Sequence, residues 1–118
     1  MTLPLGSRGD PEDGAVAAEL AMTLPAVLLV LAMGLGAVQL GVVRLRAQDA
    51  AADVARSLAR GDDPAAAVSR VAGLRSATVA RRNADGLVCA EVTALAAPHG
   101  PLAGLRVSGE SCALEGGR

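Results

Sequence analysis

Between Leu20 and Val43 the chain runs for 24 residues without a charge, reading LAMTLPAVLLVLAMGLGAVQLGVV. At a rise of about 1.5 Å per residue, a helix of that length crosses a hydrocarbon core roughly 30 Å thick. The stretch reads as a membrane span, and every other segment has to be arranged around it. One ionisable group, Glu19, stands at its head. An unpaired charge there costs about 2.5–3.5 kcal/mol near the bilayer centre and less near the interface. Glu19 therefore either marks the interface or pairs with an amine of a neighbouring subunit. Inside the span, Pro25 removes one helical hydrogen bond, which membrane helices tolerate when neighbouring groups compensate. Gly34 and Gly41 lie seven residues apart on nearly one face, where a second helix could approach closely. Ordinary glycine usage in membrane helices accounts for them equally well.

The preceding segment, MTLPLGSRGDPEDG, holds two prolines, three glycines and three acids against one arginine. It has neither the period nor the apolar content to fold alone and reads as a leader or tail. A secretory signal peptide would begin with a basic region and carry a shorter apolar core. The small-x-small run Gly34-Leu35-Gly36 nevertheless offers a cut site after Gly36.

Beyond the span, Ala47, Ala51, Val54 and Leu58 recur at spacings of four, three and four, which predicts one apolar stripe on a helical extension over residues 44–60. Arg46, Asp49, Asp53, Arg56 and Arg60 fall off that stripe. Arg46 with Asp49, and Asp53 with Arg56, are candidate pairs worth roughly 0.2–0.5 kcal/mol each. Span and extension together predict a helix of about 45 residues, with Gly61 ending it. Asp63-Pro64 then reads as an N-cap followed by the first residue of a short helix through Gly73, turning Val68, Val71 and Ala72 to a core. The runs 77–82 and 87–95 predict a hairpin around Asn83-Ala84-Asp85-Gly86, with Val88, Ala90, Val92 and Ala94 on one face and Cys89, Glu91 and Thr93 on the other. Pro98-His99-Gly100-Pro101 must be loop, and residues 105–113 supply a third strand. The expected fold is α+β: a long N-terminal transmembrane and stalk helix, a short second helix, and a small antiparallel sheet of about three strands packed on the stalk.

Once leader and span are set aside, about 75 of the 118 residues remain, room for one small module and little for an enzyme core. Among them are two cysteines, Cys89 and Cys112, on the second and third expected strands. An even count in a small exported domain favours a structural disulfide over free thiols. Adjacent strands can bring the two Cα atoms within the roughly 4.4–6.8 Å that a bridge requires. A lone His99 with two cysteines lacks the paired spacing of a zinc site, so no metal is expected. Ser108, Glu110, Ser111 and Asp85 do not set a nucleophile beside a base. No cofactor motif is present, and no catalytic residue is assigned. The net charge of -1 says nothing about partners, but the sequence has no basic patch, no aromatic residue for a stacking platform and no nucleic-acid motif, so no nucleic-acid partner is expected.

Taken together, a short polar leader ending in Gly14, a glutamate five positions later and an unbroken apolar helix resemble the class III signal of type IV pilin-like proteins. The run A-x-E-L-A-x-T-L-P from Ala17 to Pro25, followed after the span by AQDAAADVARSLARGD, resembles TadE-like minor pilins of tight-adherence (Flp-type) pilus systems, particularly the short actinobacterial ones. A major Flp pilin would carry an aromatic directly after the glutamate, where this chain has Leu20. The resemblance implies a leader over 1–14 cut between Gly14 and Ala15, a transmembrane helix over 15–43, the helical extension over 44–60 and an extracytoplasmic α+β module over 61–118. It further implies a single-pass protein of the cell membrane, Glu19 as an assembly residue, and as partners the lipid membrane, a prepilin peptidase, other pilins and Tad-type assembly proteins. The arginines argue for the opposite orientation: Arg44, Arg46, Arg56 and Arg60 follow the span, and Arg8 alone precedes it. A different class also fits the residues, namely a membrane-anchored or secreted small disulfide-stabilised binding domain unrelated to pili.

Overall fold

The computed structural model describes residues 11–116. The first ten residues of the leader expected over 1–14, Arg8 included, lie outside them. In chain order the elements are α1 (Pro11–Ala59), α2 (Pro64–Arg70), β1 (Thr78–Ala84), β2 (Leu87–Leu95) and β3 (Arg106–Leu114). This is the α+β arrangement read from the sequence. Contacts divide the chain into two compact units, Met1–Leu35 and Gly36–Arg118.

α1 is a 49-residue helix. It starts earlier than expected, because Pro11 suits a first helical position and Glu12 complements the positive end of the helix dipole. Residues 11–14 are thus helical. From Gly14 to Leu35 the helix is exposed throughout, and its apolar run is long enough to cross a membrane. At the other end Gly61 has φ +86°. The Gly61 N–H donates to Leu58 O at 3.0 Å and the Asp62 N–H to Ser57 O at 3.1 Å. This double closure is a Schellman motif, which only a left-handed residue such as glycine allows without strain.

The second unit has its core between α1 and the sheet. Ala47, Ala51, Val54 and Leu58, the expected stripe, are buried, joined by Ala55 and Ala59. All of these but Ala47 pack in one cluster with Val88, Ala90 and Val92 of β2. Ser57 is also fully buried, and its hydroxyl donates to Val54 O at 2.9 Å, so no polar atom is stranded. Asp63 caps α2 by accepting the Ala65 N–H at 3.0 Å. The helix ends at Arg70, short of Gly73; Ala67 within it and Val71 just after it are buried, and the side chain of Val68, also expected inward, lies outside those described. Ala72, expected in the core, is exposed, because the helix stops before the position at which a further turn would carry it inward.

The sheet has the order β1-β2-β3, all antiparallel. Strand β1 runs on to Ala84, so the turn is the two residues Asp85-Gly86 instead of four. Both have positive φ, +51° and +76°, which defines the type I′ turn whose twist matches the flanking strands. The inward row Val79, Val92, Gly109 and the outward row Arg82, Cys89, Cys112 follow from the register. Of the two expected helix-surface ion pairs, Arg56 and Asp53 meet at 3.5 Å on an exposed face. Among the described residues Arg46 and Asp49 form no such pair.

Candidate functional site

Two sets of residues carry chemistry. The first lies on the exposed N-terminal part of α1. Gly14, Ala15, Glu19, Pro25, Gly34 and Gly41 are all on the helix and all exposed. A side chain added at Gly14, Gly34 or Gly41 would meet nothing within 4 Å, so each position leaves room for another chain. The Thr23 hydroxyl turns back to donate to Glu19 O at 3.1 Å and Leu20 O at 3.2 Å. Its polarity is absorbed locally, and among the described residues the Glu19 carboxylate makes no hydrogen bond or ion pair. By helical geometry, with about 3.6 residues per turn, Gly34 and Gly41 share one side while Gly36 points the other way.

The second set is the outward face of the sheet. Cys89 and Cys112 form a disulfide. Ala96 N–H donates to Leu105 O at 2.8 Å and Glu115 N–H to Gly86 O at 2.9 Å. Counting inward from these bonds by twos places Cys89 and Cys112 at a non-hydrogen-bonded pair, where opposed side chains stand closest. Their Cα atoms are 3.9 Å apart, shorter than the roughly 4.4–6.8 Å expected.

Beside the bridge, Glu91 and Glu110 face each other across β2 and β3, a like-charge pair that destabilises a sheet. Arg82 offsets it: its guanidinium donates to the Glu110 carboxylate over the disulfide. Cys89, Glu110 and Cys112 thereby converge. Bridged sulfurs have no thiolate to offer a metal, and Glu110 is held by Arg82, so the grouping is a staple and not a cation site. His99 sits exposed in the β2–β3 loop, apart from this cluster.

Gly109 went unremarked in the sequence, although a glycine inside a strand pattern signals close backbone approach. A Cβ on Gly109 would stand 2.5 Å from Gln48 N, 2.6 Å from Gln48 Cα and 2.7 Å from Ala47 C. Next to it, the Gln48 side-chain amide donates to Glu110 O at 2.6 Å, satisfying a carbonyl on the free edge of β3. Helix and strand are thus in close backbone approach here.

These features define a class: a small disulfide-stapled α+β module built on the second half of a long helix whose first half is apolar and exposed. No protein-family model matches the chain, and neither a curated protein nor a solved structure shows significant similarity to it.

Proposed function

We propose that the protein is a minor pilin or pseudopilin, inserted in the cell membrane through α1, cut between Gly14 and Ala15, and incorporated during assembly of a tight-adherence type IV pilus or related secretion filament. The observation that carries this reading is α1 itself. It is one helix whose apolar stretch has no cover of its own, with Glu19 exposed near its start and its later half buried under a sheet. A filament of packed helices would give that apolar surface a partner. The free amine of Ala15 on one subunit would neutralise Glu19 on the next, so the buried carboxylate is tolerated best inside the assembly.

The disulfide supports an extracytoplasmic C-terminal module, since such bonds persist in oxidising compartments. The reverse orientation, favoured by the arginine count, would hold the bond in a reducing one. Partners on this reading are the lipid bilayer, a prepilin peptidase, other pilins and Tad-type assembly proteins. Mass spectrometry of protein extracted from membranes tests it and should find a mature N-terminus at Ala15. A chain beginning at Met1 or Thr2, or one beginning near Ala37, refutes processing of the pilin type and leaves a membrane-anchored or secreted binding domain as the better reading.

A further inference from the structure

The compact C-terminal unit does not begin where the apolar run ends. It begins at Gly36, seven residues before Val43. Gly36, Leu40 and Val43 are half-buried, whereas their neighbours along the run are exposed. Their spacing of four and three continues that of Ala47, Ala51, Val54 and Leu58, so the covered stripe of α1 extends into the segment expected to lie in lipid. What reaches Gly36 is the β2–β3 loop: Leu102 Cδ1 lies 3.5 Å from where a Cβ on Gly36 would stand.

The composition of that loop matches its position. From Val92 to Leu105 there are 14 consecutive residues without Asp, Glu, Lys or Arg. Pro98, Pro101, Ala103 and Leu105 of this stretch are exposed, Leu105 to 45%. Its backbone is partly self-satisfied: Ala96, Ala103 and Leu105 N–H groups donate within the loop, and the two prolines have none to give. The remaining donors need water or headgroup oxygens, so the hydrocarbon core is excluded and the interface is not.

We infer that the Pro98–Leu105 loop is seated in the lipid interface beside α1, so that the module touches the bilayer surface and hydrocarbon begins near Gly36 and not at Val43. The seven residues between them span about 10 Å along a helix, comparable with the depth to which interfacial apolar groups sink. The inference rests on the membrane-span part of the proposed function and is independent of cleavage and filament assembly.

The chain has no aromatic residue, so a single introduced tryptophan is an unmixed fluorescent reporter. Full-length Leu105→Trp, with Leu102→Trp as a second reporter, would be reconstituted into phosphatidylcholine–phosphatidylglycerol vesicles carrying shallow- or deep-brominated acyl chains. Ala84→Trp, at the opposite end of the sheet, and Leu28→Trp, within the span, are the references. The loop reporters should emit to the blue of Ala84→Trp, lose intensity with shallow bromine and resist aqueous iodide. Because Leu105 is already exposed, its variant reads the loop even where Leu102→Trp disturbs packing. Loop reporters that behave like Ala84→Trp while deep bromine quenches Leu28→Trp overturn the inference and leave the span intact. If Leu28→Trp escapes bromine as well, both the span and the inference fall.

Discussion

Gly109 is the residue on which the packing of the module turns. The three atoms within 2.7 Å of its missing Cβ are all helix backbone, and none of them can swing aside as a side chain would. Gly109→Ala should therefore force β3 off α1 and break the Gln48 to Glu110 bond. Overpacking of this kind costs about 1–3 kcal/mol, to be read as a lowered denaturation midpoint of the module. An unchanged midpoint would mean that helix and strand separate freely at this point. The glycine stood inside an apolar β pattern, so the signal was legible; what the sequence could not supply was the element on the other side of the approach. The Arg82–Glu110 pair was hidden for a related reason. It needs the exact register that sets Glu91 against Glu110, and a shift of one residue would put each of these charges on the other face.

At the scale of elements, period and punctuation carried most of the information. The α1 stripe, the Gly61 stop, the Asp63 cap and the alternation along β2 were all readable, because each depends on neighbours in sequence. The burial of Ala67 was not, since an alanine in a seven-residue helix gives a period too few turns to mark it as inward. The disulfide was readable as a pairing and, from the alternation along β2, as lying on the face away from Val88, Ala90 and Val92. It lies on the outward face beside Arg82, away from the core of Val54, Val88 and Val92, so its removal opens no cavity among them. Replacing Cys89 and Cys112 together by Ser should cost about 2–3 kcal/mol, the lower part of the usual range for small secreted domains. The variant should keep the sheet while being cleared faster by proteases. Non-reducing peptide mapping of the wild type should recover the two cysteine peptides joined. Two alkylatable thiols in protein from the cell envelope would remove the staple and, with it, the main support for an exported module.

For the whole molecule the decisive quantity is where hydrocarbon begins and ends along α1. If it begins near Gly36, a core roughly 30 Å thick needs about 20 residues of helix, which reach back past Glu19. The carboxylate then lies inside the apolar layer and not at its edge, and an unpartnered charge there is costly. The interface-marker reading of Glu19 weakens accordingly, and the reading as one half of an intersubunit pair gains. Glu19→Ala distinguishes them, because it acts oppositely on two measurements. Insertion should be unchanged or improved, since a charge leaves the span; carbonate extraction of membranes reads this. Crosslinking to neighbouring pilins should fall, since the Ala15 amine loses its counter-charge. Glu19→Gln should fail in the same way, as it keeps the volume and a hydrogen bond but not the charge, while Glu19→Asp should retain part of the crosslinking. Unchanged crosslinking and piliation in Glu19→Ala would reduce Glu19 to a marker of the interface and detach the span from filament assembly.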